Sequence, residues 1–195
     1  MLSEWARVLF RWATEPMARL FARLGLVANA LTIIGCLLNV GAAVVIATGR
    51  LRLGGICLLV ASAFDGIDGT LARQMGGATK FGAFLDSVLD RVSESAILLG
   101  LAWWYMSQPG PREEVLAYVA IVGSLLVSYT RARAEGLGIE CKVGLFTRVE
   151  RCVILIVALI LRLTSPALWL LAIGTVMTAI HRVLYVYSRV KREPL

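Results

Sequence analysis

The sequence predicts an all-α integral membrane protein: six transmembrane helices preceded by an amphipathic helix at the membrane interface. Three observations carry this. Hydrophobic residues make up 58% of the 195-residue chain, against roughly half in an average globular protein, and mean hydropathy is +0.78. These residues are gathered into long runs separated by short polar links. Lysine and arginine favour alternate links: on a six-span topology fifteen fall on one side, four on the other, and Arg91 lies within a span. By the positive-inside rule both termini are then cytoplasmic.

The elements follow in order. Trp5, Val8, Leu9, Trp12, Leu20, Phe21 and Leu24 recur at helical spacing over residues 1–25, with Arg7, Arg11, Arg19 and Arg23 on another face. This is the pattern of a helix lying on a membrane, its tryptophans anchored and its arginines reaching phosphates. Pro16 kinks or interrupts it. There is no apolar core followed by a small-residue cleavage site, so the segment does not read as a signal peptide. A first span, 28–48, is free of charge and long enough for a ~30 Å hydrocarbon core. The second begins at Leu53 and must run through Ala72 to cross. The glycine-rich link 74–79 leads to a third span, 81–106. Pro109, Gly110 and Pro111 mark a loop before the fourth span, 115–131. A polar connection, 133–147, precedes a short fifth span, 149–161. The turn 164–166 leads to the sixth span, 167–187, and a basic tail. The expectation is one domain, 1–195, with 26–190 as the six-helix bundle.

A net charge of +7 in so apolar a chain points to anionic headgroups and phosphate-bearing substrates rather than nucleic acid. Cys36, Cys57, Cys141 and Cys152 form no Cys-x-x-Cys pair and read as small apolar fillers, not as a disulfide framework. His181, the single histidine, has no neighbour in sequence with which to build a zinc site.

The chemistry is concentrated between residues 65 and 90. Asp65 and Asp68 are three apart, Asp86 and Asp90 four apart, so on helices each pair shares one face. A charge in a bilayer core costs at least about 2.5–3.5 kcal/mol, and four carboxylates also repel one another. Divalent cations, proton relays in a transporter, or arginine partners would each relieve this. Arg73 and Arg91 are too few to neutralise four acids. An all-carboxylate donor set favours a hard ion such as Mg²⁺, Mn²⁺ or Ca²⁺, and two such ions would suit phosphoryl transfer. Gly69, Ala72 and Gly82 keep the same stripes narrow enough for a bulky ligand to approach, and Arg73 ends one stripe with a cation suited to phosphate.

Asp65-x-x-Asp68-Gly69-x-x-Ala72-Arg73, eight residues, then Gly82-x-x-x-Asp86-x-x-x-Asp90 resembles the signature of the CDP-alcohol phosphotransferases at all eight of its fixed positions. The resemblance extends over essentially the whole chain, including the six spans and the basic interfacial helix. It implies that Asp65, Asp68, Asp86 and Asp90 bind Mg²⁺ or Mn²⁺, as two ions, and that Asp90 is also the general base. It implies that Gly69, Ala72, Arg73, Thr79 and Gly82 contact the CDP end of a CDP-linked lipid such as CDP-diacylglycerol. Asn29 and Thr32 occupy the place of a further nucleotide contact, with Ala28 where the family commonly has proline. The reaction implied is attack of an acceptor hydroxyl on the β-phosphate, with CMP as leaving group. A homodimer through the third and fourth spans, in the inner membrane of a prokaryote, is implied as well.

The acceptor is read from a second polar set. Ser128, Arg131 and Glu135 share a helical face; Arg148 and Arg151 are three apart; Arg182 lies within the sixth span. Arginines converging at a membrane-embedded site favour a phosphorylated acceptor, because guanidinium matches phosphate oxygens bidentately. The block around Ser128–Glu135 is similar to that of the phosphatidylinositol phosphate synthases, with Arg131 where they commonly carry lysine. Inositol 1-phosphate is therefore the expected acceptor. Glycerol 3-phosphate is the alternative within the class, and a cation transporter using the aspartates as ion ligands is the alternative outside it.

Overall fold

The structure, a computed structural model, describes residues 28–74, 79–109 and 112–191, and does not describe the side chains of 66–74. The expected interfacial helix of 1–25 lies outside the described residues. What is described is all-helical: α1 Ala28–Ala47, α2 Leu51–Gln74, α3 Lys80–Met106, α4 Glu113–Glu135, α5 Arg148–Leu161 and α6 Thr164–Val190. Each overlaps an expected span; α4 is a turn longer at its C-terminal end, and α6 takes in the expected turn 164–166 as its first turn and ends three residues later than expected.

Three of the six, α1, α4 and α6, are long and apolar enough to cross a membrane. The others fall short for identifiable reasons. Helices α2 and α3, at 24 and 27 residues, have ample length but carry the aspartates and arginines. Helix α5 has 14 residues, so it rises only about 21 Å at ~1.5 Å per residue.

Short links set the helices alternately up and down. Helix α1 packs on α2 and α3, α4 on α3 and α6, and α5 on α2 and α6. The core holds Ile46, Leu51, Leu58, Ile97, Leu101, Leu155, Leu159, Leu168 and Leu171, while the outward faces carry exposed Leu37, Val44, Trp103, Val122, Trp169 and Ile173. Large apolar residues facing outward as well as inward, with Ala42, Ala43, Ala117 and Ala120 among the buried contacts, is the arrangement expected when lipid is the solvent.

Local chemistry fixes the helix ends. Thr79 caps α3 by accepting from the Gly82 amide at 3.0 Å. Pro166 sits in the first turn of α6, where its missing N–H costs nothing. Arg162 closes α5 in the left-handed region at φ 60°. The 136–147 connection is held down by Gly144, whose φ of 110° suits glycine and whose absent Cβ leaves room for Thr178, 2.5 Å from where that atom would lie. One end of the bundle is pinned by Tyr105 and Thr164, whose hydroxyls are 2.7 Å apart, and by Ser165 donating to the buried Glu113 at 3.0 Å. The other end carries the chemistry.

Candidate active site

Odd helices contribute their N-terminal turns to that end and even helices their C-terminal turns. Asp65 comes from α2, Asp86 and Asp90 from α3, and Arg148 from α5. The Arg148 guanidinium bridges two of the acids: Nη2 donates to Asp65 Oδ2 at 2.7 Å and Nη1 lies 2.7 Å from Asp90 Oδ1. The 65/68 and 86/90 pairs were expected to converge, and for Asp65 and Asp90 the arginine measures how closely they do. Asp86 is exposed but close enough to repel both electrostatically. Arg91 stands 3.9 Å from Asp90 Oδ2 and turns its guanidinium to the Ser87 carbonyl.

Among the described side chains no three carboxylate, imidazole or thiol groups already close into a coordination shell. Asp68, Gly69, Ala72 and Arg73 lie on the helical backbone of α2 one turn or more beyond Asp65, with side chains outside the description.

The expected nucleotide residues divide. Asn29 and Thr79 meet at Gly82: a Cβ there would lie 2.9 Å from Asn29 Oδ1 and 3.0 Å from Thr79 Oγ1. The glycine thus lets two polar side chains close over the start of α3. Thr32 instead donates back to the Ala28 carbonyl at 3.1 Å, a common use of threonine in apolar helices.

A cavity of about 380 Å³ adjoins the aspartates. Its walls include Asp90, Glu94, Ser128, Arg131, Arg148 and Arg151. Four of the five expected acceptor residues therefore share one space with the expected base. Arg131 is exposed and held at 2.8 Å by Glu135, one turn on. Arg151 is only 1% exposed. It grips Glu94 bidentately, at 2.5 Å through Nε and 2.6 Å through Nη2, and donates to the Phe146 carbonyl at 2.6 Å. A guanidinium so engaged stiffens the cavity floor as well as charging it. Arg182, the fifth, is buried behind the cavity. It donates to the Val143 carbonyl at 2.9 Å and to that of Val127, tying the 136–147 connection to α4.

Three residues escaped the sequence reading. Glu94, one turn beyond Asp90 on the same stripe, was visible in the 86/90/94 spacing. Gly35 was not: a Cβ on it would lie 2.5 Å from Asp65 Oδ1, so α1 supplies a bare backbone against which that carboxylate rests. Asn39, 3% exposed, donates to the Gly35 carbonyl at 2.9 Å and stiffens the same turn. Both look like ordinary residues of an uncharged span until α1 is packed against α2.

Carboxylates facing a cavity rimmed with arginine, at one end of a membrane helix bundle, define an enzyme acting on phosphate esters at the bilayer surface. The sequence model of the CDP-alcohol phosphatidyltransferases matches residues 25–181, and the chain belongs to that family. The transporter alternative is thereby set aside. Among its relatives, phosphatidylinositol phosphate synthase of Corynebacterium glutamicum is 38% identical over 177 residues, covering 86% of this chain and 81% of that one. The synthase of Mycobacterium tuberculosis is 34% identical over 194 residues, covering 94% and 89%. The crystal structure of the M. tuberculosis synthase with CDP-DAG bound superposes with a TM-score of 0.85 at 33% identity, covering 89% of this chain and 93% of that one. Its structure in complex with manganese and citrate gives 0.83 at 32%, covering 89% and 88%.

Proposed function

We propose that this enzyme transfers the phosphatidyl group of CDP-diacylglycerol to a hydroxyl of inositol 1-phosphate, releasing CMP. One observation carries the reading: Asp90 and the arginines Arg131, Arg148 and Arg151 line the same 380 Å³ cavity. A base and an anion-recognising rim in one space are what a phosphorylated alcohol requires. The relatives bear the name of that activity over most of their length.

The donor set fits divalent cations. Asp65 and Asp90 converge closely enough for one guanidinium to bridge them at 2.7 Å on each side. Both are hard oxygen donors, and the site already accommodates a positive charge. Asp65, Asp68, Asp86 and Asp90 would hold Mg²⁺ or Mn²⁺, two ions in our reading. Such ions neutralise the pyrophosphate and stabilise the charge that develops on the leaving CMP. The chain's own residues do the rest. Asn29, Thr79 and Gly82 receive the cytidine end at the start of α3, together with Gly69, Ala72 and Arg73 of α2, and Thr32 adds a contact from α1. Ser128, Arg131, Arg148 and Arg151 orient the acceptor phosphate, with Arg182 holding the wall behind them. Asp90 takes the proton of the attacking hydroxyl.

The same reading covers the whole chain as one domain. All six helices sit in the bilayer, the 14-residue α5 reaching part-way. Both termini and the site face the cytoplasm of a prokaryote. A second copy packs on the open apolar groove of about 1120 Å³ between α3 and α4, lined by Val88, Leu99, Val122 and Leu126 among others.

The test is an acceptor screen. Purified protein with radiolabelled CDP-diacylglycerol and Mg²⁺ or Mn²⁺ is offered inositol 1-phosphate, glycerol 3-phosphate, serine and inositol, each alone. Labelled lipid is expected with inositol 1-phosphate. Product with serine only would overturn the phosphate-acceptor reading, and product with glycerol 3-phosphate only would move the enzyme to the alternative acceptor.

A further inference from the structure

Five arginines surround the acceptor end; Arg91 donates to the Ser87 carbonyl and only grazes Asp90 at 3.9 Å, and three of the others have partners of their own. Arg151 is locked to Glu94 and a carbonyl. Arg182 is locked to two carbonyls. Arg131 pairs with Glu135 at the cavity rim. Arg148 differs: its partners are Asp65 and Asp90, the carboxylates that a divalent cation would claim. Its side chain, 38% exposed, lines the acceptor cavity as well as a small pocket that Asp65 also lines. It therefore stands on the boundary between the two subsites and belongs to both.

We propose that Arg148 couples divalent-cation binding to acceptor binding: a cation taken up by Asp65 and Asp90 releases the guanidinium into the cavity, where it meets the acceptor phosphate. The proposal rests on the acceptor reading above. The physical reason is competition. Two carboxylates and a guanidinium form a nearly balanced set, and a divalent charge on the same oxygens repels the guanidinium at short range. The arginine then needs a new anion, and the adjoining cavity is where the acceptor supplies one. Before the cation arrives, the arginine offsets the repulsion between Asp65 and Asp90. Linkage is reciprocal, so acceptor phosphate that captures Arg148 must tighten cation binding by the same factor. Arg148 is in this respect a positioning residue, acting on the carboxylates through its own departure.

The experiment needs no turnover. Free Mn²⁺ is followed by electron paramagnetic resonance in detergent solutions of the full-length protein, without CDP-lipid, with and without saturating inositol 1-phosphate. In the unmodified protein inositol 1-phosphate is expected to lower the Mn²⁺ dissociation constant about tenfold, within the usual range of such couplings. Arg148→Gln is expected to bind Mn²⁺ more tightly than the unmodified protein when no inositol phosphate is present, and to lose the coupling. Arg131→Gln should weaken inositol phosphate binding yet keep the coupling at saturation. Arg148→Lys keeps a charge that cannot bridge both acids; it should bind Mn²⁺ with intermediate affinity, and it decides the matter if the glutamine variant does not fold. Unchanged Mn²⁺ affinity at position 148, or full coupling in Arg148→Gln, would overturn the proposal alone. Absence of inositol 1-phosphate binding to the Mn²⁺-loaded unmodified protein would overturn the acceptor reading and the coupling with it.

Discussion

Asp90 shows how much can rest on one side chain. It is the carboxylate that faces the acceptor cavity and also pairs with Arg148. Asp90→Asn keeps the shape and removes the proton acceptor, so transfer should fall by about 10²–10⁴-fold, the usual worth of a general base. Affinity for CDP, measured by calorimetry, should change little, because Asn29, Thr79 and Gly82 are untouched. Wild-type turnover in this variant would remove Asp90 from the base role. Gly35 acts more indirectly. Adding a methyl group 2.5 Å from Asp65 Oδ1 must move that carboxylate. Gly35→Ala is expected to weaken Mn²⁺ binding about tenfold, as when the supports of a metal site are lost. Gly41→Ala on the same helix, with nothing within 4 Å of the added atom, is the control and should bind normally. Arg151 can be separated into its two duties. Arg151→Met leaves Glu94 charged and unpaired at a site only 12% exposed; such a loss in a buried pair typically costs about 3–5 kcal/mol. The double variant Glu94→Leu/Arg151→Met should recover most of the thermal stability and none of the transfer. Recovery of both would make Arg151 purely structural.

At the scale of elements, α1 and α3 pack more extensively than any other pair, and their contact joins the site to the far end of the bundle. Asn29 and Gly82 meet at one end. Further along, a Cβ on Gly100 would lie 2.4 Å from the Ala43 carbonyl oxygen. Gly100→Val must force the helices apart there, at a cost of about 1–3 kcal/mol for overpacking. The expected outcome is a lower melting temperature in detergent together with weaker CDP binding; a lower melting temperature with unchanged CDP affinity would mean that the Asn29–Gly82 closure tolerates the wedge. The same pair shows what a sequence discloses and what it conceals. All six helices were legible, because uninterrupted apolar runs bounded by Gly, Pro and charge leave few other choices in lipid. The aspartates were legible because charge within such runs is costly and spaced. Gly35 and Asn39 were not, since their meaning arises only when α1 is laid against the carboxylate of α2. Nor did spacing distinguish Arg148 from Arg151: three apart on α5, one reaches the aspartates and the other is buried on Glu94. Which way each points depends on α3, fifty residues earlier.

For the whole molecule, the alternation of the helices explains why so small a chain can build a site from six elements. Asn29, Asp86, Asp90, Arg148 and Arg151 lie near the starts of odd helices. Asp65, Ser128, Arg131 and Arg182 lie toward the ends of even ones. An up-and-down bundle brings all of these to one end without a long excursion of the chain. That end also gathers the 136–147 connection and Lys191 after α6, the side with the excess of Lys and Arg. In the proposed topology the positive-inside rule would orient the chemistry as well as the termini, with the acceptor cavity on the side where water-soluble sugar phosphates are available. The orientation is open to direct measurement. In a background with the four cysteines replaced by alanine, Gln108→Cys lies in the loop opposite the site, and Lys142→Cys, at an exposed position, lies beside it. A membrane-impermeant maleimide should label position 108 in spheroplasts, and position 142 only after the membrane is opened. The reverse pattern would place the aspartates outside the cell, away from cytosolic sugar phosphates, and the proposed acceptor would have to be abandoned with the topology.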